Sequence, residues 1–333
     1  MRKARMKWTV AATLAITGTL AAAAGYAQKP PAGGPDYPTR PVRWVVPFTP
    51  GASNDVIARL IGGKLGDMFG HQFVIDNRPG AGGLVGAETV ARAAPDGYTL
   101  ILANPGPNVN APLLSKKPLY KPSDFEAVVF IGYAPLIILT NPSFAPKTPK
   151  DLLEYLKANP GKVSWGSSGI GSSLHIGLAL FQSATGANVV HVPYKGSGPA
   201  ITDLIGGQIQ AMHTTTVSGE AAIKGNRVRV LAAASPKRLA LLPDVPTLAE
   251  AGIKDAEAIV WFGMAAPART PRPIVEKLNR AVNQALGMPD VKARLDQLGL
   301  EVAGGSPEDF AKYINGEVAK LQRLIKLGLL QQE

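Results

Sequence analysis

Cysteine is absent from all 333 residues, which removes disulfides, thiolate metal sites and a lipidated-cysteine anchor together. Histidine is scarce at four residues. His175 and His191 each read as standing alone beside strand or helix residues, without the Cys/His/Asp spacing that makes a metal-ligand set, so both are taken as structural. A nucleophile elbow is missing as well. Ser167 has Trp165 two places before it and Ser168 has Ile170 two places after it, where Gly-x-Ser-x-Gly needs glycine, and this argues against a hydrolase. The 35 basic residues outnumber the 24 acidic ones but are scattered, with no basic stripe interleaved with aromatics, so no nucleic-acid partner is expected. Beyond the first 27 residues no apolar run is long enough to span a bilayer.

What is present begins with an export signal. Arg2, Lys3, Arg5 and Lys7 form a basic start, residues 8–24 are apolar with many small side chains, and Gly25-Tyr26-Ala27 has the small-x-small form a signal peptidase accepts. Cleavage after Ala27 is expected, with the product in the periplasm. An uncleaved anchor is the competing reading, disfavoured because Thr, Gly and Ala dominate the stretch. Removing four basic residues and no acid from a net charge of +11 leaves +7, which suits an acidic ligand only weakly. The remaining chain, about 300 residues, has room for two cores.

Residues 42–65 read as a buried strand, a Pro50-Gly51 break and a helix that Ser53, Asn54 or Asp55 can cap. Unpaired N–H groups and roughly half a positive charge at a helix start can hold a carboxylate or phosphate without any Arg or Lys. The same corner recurs where 73–75 leads into Gly80-Ala81-Gly82-Gly83, and where 163–165 leads into the Gly/Ser loop 166–173. Strands at 43–47, 73–76 and 99–103 alternate with helices, giving a parallel sheet whose loops, including the one opening at Asn104, gather at one end. Residues 125–141 are almost continuously apolar, and Gly132 and Pro135 suggest two strands rather than a helix. This run is taken as a crossing into a second α/β unit with strands at 163–166, 189–193, 209–213 and 228–233. A return crossing at 258–266 precedes terminal helices that belong on the first unit. Two lobes and a cleft follow: 37–137 with 262–333, and 138–261, behind a signal at 1–27 and a flexible lead at 28–36. Trp165 and Trp261 are assigned to cores.

The segments VRWVVPFTPGASNDVIARL, VIDNRPGAGGLVGAETVARAAPDGYTL, GSSGIGSSLHIGLALF, HVPYKGSGPAITDLIGGQI, LPDVPTLAEAG and WFGMAAPARTP, in this order, resemble the Bug family, the extracytoplasmic solute receptors of tripartite tricarboxylate transporters. The resemblance covers residues 37–327. It implies a two-lobed α/β periplasmic binding protein of the Venus-flytrap type, type II-like, with two interdomain crossings. Such a receptor holds a small carboxylated solute through loop amides and ordered waters. The resemblance assigns the first ligand loop to Phe48, Gly51, Ala52, Ser53, Asn54 and Asp55. Gly82 lies in the supporting turn, Asn104 in the loop after the third strand, and Ser167, Ser168, Gly171, Tyr194 and Lys195 lie opposite.

Two departures matter. Ala52 stands where the family loop has a second Gly, adding a methyl beside the ligand. His213-Thr214 stands where many members carry an aromatic-Asp pair, which removes a partner for an ammonium and tilts the ligand away from amino acids; Thr214 joins the expected ligand set, and His213 remains open as a contact. No catalytic residue, metal or cofactor is expected, and the partners are a carboxylated solute and membrane permease subunits of the transporter, with the receptor itself a monomer. An exported α/β enzyme acting on a small acid, and a receptor that presents its ligand to a sensor protein, are the alternatives. The enzyme reading needs a positioned base or nucleophile that the sequence does not supply.

Overall fold

The computed structural model describes residues 36–326. The 1–27 signal, nearly all of the 28–36 lead and residues 327–333 lie outside the described residues.

The first unit opens with β1 (Val42–Val46), whose apolar run is buried between α1 (Ser53–Phe69) and the neighbouring elements. β2 (Phe73–Asn77), α2 (Leu84–Ala91) and β3 (Thr99–Ala103) follow, and β1 lies between β2 and β3 with all three parallel. Ala52, not one of the three polar residues after it, is the N-cap of α1, and no side chain caps the helix. The polar side chains at this start are therefore available for other contacts. After β3 the chain coils into a π-helical turn, Gly106–Asn110, and a short α3 (Ala111–Leu114) where a plain loop was expected.

The apolar run forms one strand, not two: β4 (Phe125–Thr140) is 16 residues long. Gly132 does not break it; a Cβ there would lie 2.3 Å from the Glu301 carbonyl oxygen, so glycine is required by the close approach of a neighbouring strand. Pro135 faces Ile259, the first residue of the strand beside it, where its missing N–H falls at the end of the ladder. Register shifts at Ala127/Val129 and Phe130/Gly132 absorb the remaining irregularity.

The second unit contains α4 (Pro149–Ala158), started by a Thr148/Asp151 capping box, then β5 (Ser164–Ser167), α5 (Ser173–Thr185), β6 (Val190–Pro193) and α6 (Ser197–Ile205). β7 (Ala211–Thr215), α7 (Thr216–Lys224) and β8 (Arg229–Ala233) complete it. β5 pairs in parallel with β6 and β7. The return strand β9 (Ile259–Pro267) is antiparallel to both β3 and β4, so the sheet is mixed beyond the three parallel strands β1, β2 and β3. The order β2-β1-β3-β9-β4-β7-β5-β6 makes β4 and β9 the seam: the first half of β4 pairs with β9 and its end with β7 and β8. α8 (Arg272–Leu286), α9 (Pro289–Leu298), β10 (Glu301–Val302) and α10 (Pro307–Lys326) close the described chain, and α8 and α10 pack back on β4. Asn279 on α8 fixes that docking by donating to the Val128 carbonyl at 2.8 Å. Trp165 and Trp261 are fully buried, as core residues should be.

Candidate ligand-binding site

Polar side chains that α1 leaves uncapped meet the start of α7 across the seam. Ser53 Oγ lies 2.7 Å from both Thr215 Oγ1 and Ser218 Oγ, and Ser53 N–H donates to Ser218 Oγ at 2.9 Å. These contacts join a helix of the first unit to one of the second. They wall a cavity of about 20 Å3, space for about one water. Ala52, Ser53 and Asn54 come from the start of α1, Ser173 and Leu174 from α5, Ser197 from α6, and Thr215 and Ser218 from α7. The starts of four helices thus line one small volume, and a helix start carries partial positive charge. No lining residue is charged. Asn54 Nδ2 and Ser173 Oγ are buried there without a hydrogen-bond partner in the protein, two groups that a ligand oxygen would satisfy.

Phe48, Ala52, Ser53, Asn54, Asn104 and Ser168, all expected at the site, line the cavity. Gly82, Gly171, Tyr194 and Lys195 instead line an adjoining surface groove of about 530 Å3 along the seam. Four expected contacts line neither. Gly51 donates its N–H to Asp55 Oδ2 at 2.9 Å, and Asp55 also accepts from Arg59 and Asn77. Burial works against the charged Asp55, but the bonds from Arg59, Gly51 and Asn77 outweigh it and hold the carboxyl below its usual range. The carboxylate is spent on the loop's own frame. Ser167 is fully buried, accepting from Gly169 N–H and lying 2.6 Å from His191 Nε2. That is the reach of a nucleophile and base, and the buried hydroxyl is also engaged by the backbone of its own loop. Thr214 alternates to the opposite face of β7 from Thr215, which takes the cavity position. His213 is fully buried behind it, accepts the Trp165 Nε1–H at 3.1 Å, and is not in the lining.

Ser173, the last residue of the Gly/Ser loop read from the sequence, also lines the cavity, together with Leu174, Ser197, Thr215, Ser218 and Val260, which were not named there. His175 and His191 do not stand alone: their rings stack at 4.3 Å and 15°. His175 Nδ1 accepts the Gly171 N–H at 3.2 Å while His191 holds Ser167, so the pair grips both ends of the Gly/Ser loop. Burial, then the neighbouring His175, pushes His191 down to about 4. Among the described residues no group of three or more His, Asp or Glu is placed to hold a metal.

The seam is tight well beyond the cavity. A Cβ at Gly82 would lie 2.1 Å from the Ile170 carbonyl oxygen, and one at Gly196 would lie 2.3 Å from Thr49 Oγ1. Farther along, Arg294 on α9 makes a two-pronged pair with Glu220 on α7 at 2.9 and 2.8 Å, and Thr216 Oγ1 donates to the Leu298 carbonyl at 2.5 Å. The hydrogen bond from Arg294 is the main cause that holds the Glu220 carboxyl below its usual range. Because the pair is partly solvated, Arg294→Ala should cost about 1 kcal/mol of stability, the upper end for such pairs. Urea midpoints at low and high salt check this, and the difference between variant and parent should shrink as salt rises.

Comparison with known proteins places this geometry in context. Residues 57–329 match the model of a family described as "Tripartite tricarboxylate transporter family receptor". The chain is 35% identical over 315 residues to Protein BugT of Bordetella pertussis, covering 94% of this chain and 96% of that one. Among solved structures it is similar to the periplasmic binding protein BugD, with a TM-score of 0.85 and 37% identity over 89% of this chain and 100% of that one. It is similar also to MatC of Rhodopseudomonas palustris with bound malate, with a TM-score of 0.83 and 33% identity over 87% of this chain and 100% of that one.

Proposed function

This chain belongs to the tripartite tricarboxylate transporter receptor family, and from that premise we propose that it captures a small carboxylated solute between two lobes and delivers it to the membrane subunits of a tripartite transporter. The lobes are residues 37–137 with 262–333 and residues 138–261, moving about β4 and β9. The protein works as a monomer in the periplasm, with residues 1–27 removed and Gln28 first. BugD, a periplasmic binding protein, and the malate-bound MatC support the location and the ligand class. It acts by binding rather than by catalysis.

The observation that carries this reading is the convergence of four helix N-termini on a cavity with no charged wall. Oriented N–H groups and dipoles bind an anion without the desolvation of a buried cation, and they read a carboxylate without reading what it is attached to. Native mass spectrometry of the purified protein identifies the acid that co-purifies, and calorimetry with it, malate being the first to try, gives the affinity. Lys195→Ala should then cost at most about 1 kcal/mol of binding, the scale of a solvated pair. Gly171→Pro should cost more: φ at Gly171 is +76°, which proline does not reach, and its N–H is the one donated to His175. With folding verified by circular dichroism, abolition by Lys195→Ala and no change from Gly171→Pro would mean a salt-bridge pocket instead.

A further inference from the structure

A second cavity, about 790 Å3, lies in the first unit between α10 and the segment running from α3 to the start of β4. It shares no lining residue with the cleft cavity, and its size falls in the range of small-molecule sites, about 300–1,000 Å3. Phe125, Ile314 and Val318 supply an apolar wall, the last two from one face of α10. The opposing segment is held in place: Tyr120, itself buried, donates its hydroxyl to the Pro107 carbonyl at 2.7 Å and packs edge-on against Phe125.

Polar and charged side chains also stand in this wall. Asn108 is only 3% exposed. Its Oδ1 accepts the Asn104 N–H at 3.0 Å, while its Nδ2 has no partner in the protein. A buried amide donor without an acceptor is costly unless something else satisfies it. Lys116 and Lys121 are exposed at the rim, and neither makes an ion pair among the described residues. Glu126 is the one acid of the lining, so the rim remains net positive.

We propose that this cavity is a second ligand site, taking a carboxylic acid with an apolar body, either medium-chain or aryl. The body packs on Phe125, Ile314 and Val318, and the carboxylate is held by Lys116 and Lys121. The cleft offers helix termini and hydroxyls with no charged wall, whereas this site offers apolar surface with cations at its edge. The two therefore select different acids.

The test uses octanoate, with octanol as its uncharged counterpart, on the purified protein. Calorimetry should give one octanoate per chain beside an unoccupied or malate-filled cleft, and octanol should bind at least tenfold more weakly. Val318→Trp fills the cavity from a half-buried position on α10, and Lys116→Glu with Lys121→Glu reverses the rim. Each change should weaken octanoate at least tenfold and leave malate binding unaltered, with circular dichroism confirming the fold. The proposal is overturned if octanoate does not bind at millimolar concentration, if octanol binds as well, or if Val318→Trp leaves octanoate unaffected. It is overturned too if octanoate competes with malate, which would put it in the cleft. Failure of malate to bind bears on the carboxylate-receptor reading alone, because the octanoate arms do not depend on it.

Discussion

Replacing Gly82 with valine is expected to weaken binding of the cleft ligand at least a hundredfold while the protein stays folded. A Cβ at this position would lie 2.1 Å from the Ile170 carbonyl oxygen and 3.2 Å from its carbon. Both are backbone atoms, which no rotamer change can move aside. Gly82 and Ile170 belong to different lobes in the proposed division, so on that reading the clash is relieved by parting of the lobes. Parting separates Ser53 from Thr215 and Ser218 and draws the α1 start away from those of α5, α6 and α7, so an anion no longer meets all four. A hundredfold loss corresponds to about 2.7 kcal/mol. The positive φ of +65° adds strain of about 1–3 kcal/mol, within the stability of about 5–15 kcal/mol that keeps a protein folded. Calorimetry reads the affinity, and small-angle scattering reads the geometry: the parent should compact with its ligand and the variant should not. Parent-like affinity and compaction in Gly82→Val would show that the Gly82–Ile170 approach is no part of the bound state.

The residues on the two sides of this seam differ in how far the sequence revealed them. The starts of α1 and α5 were legible because an apolar strand, a Gly/Pro or Gly/Ser break and an amphipathic run follow one another within a few residues. Ser197, Thr215 and Ser218 were not. They share a cavity with Ser53 only because the order β9-β4-β7 brings together residues more than 140 positions apart in the chain. The β7 strand read as 209–213 is in fact Ala211–Thr215. A shift of two keeps every side chain on its face but moves the strand's end, and the cavity-lining position with it, onto Thr215.

Asp55 and Ser167, expected at the site, lie outside the cavity lining for a different reason. A polar side chain in a Gly-rich loop looks the same in sequence whether it faces a ligand or holds its own loop together, and in both cases the loop's N–H groups had first claim. The continuity of β4 was obscured by Gly132 and Pro135, which are ordinary breakers unless a second strand approaches one and the ladder ends at the other. The stacking of His175 on His191 depends on how α5 lies over β6, which the spacing of the two residues does not report.

Acid should destabilise this protein well before its carboxylates protonate, and His213 should be the main cause. Its Nδ1 accepts from Trp165, so the ring is neutral with its proton on Nε2, and Nε2 has no partner. Burial pushes its pKa down to about 3, whereas the unfolded chain offers a histidine of about 6.5. Between these values the unfolded state holds a proton the folded state lacks, so stability falls with falling pH. The contribution is fully present above about 6.5 and is lost at about 1.4 kcal/mol per pH unit below it, reaching about 2.7 kcal/mol near pH 4.5. His191, also depressed but only half-buried, adds a smaller loss with the same sign. His213→Phe separates the contributions. A phenyl ring can occupy the place beside Trp165 and Phe181, but it leaves the indole N–H without its acceptor, so the variant should be less stable at neutral pH by about 1–3 kcal/mol. Its stability should nevertheless fall less steeply on acidification, by about one proton's worth of slope. Urea unfolding at neutral, mildly acidic and more strongly acidic pH measures both effects. Parallel slopes for variant and parent would mean that His213 takes up its proton without unfolding, with the buried Nε2 reached by water in the native state.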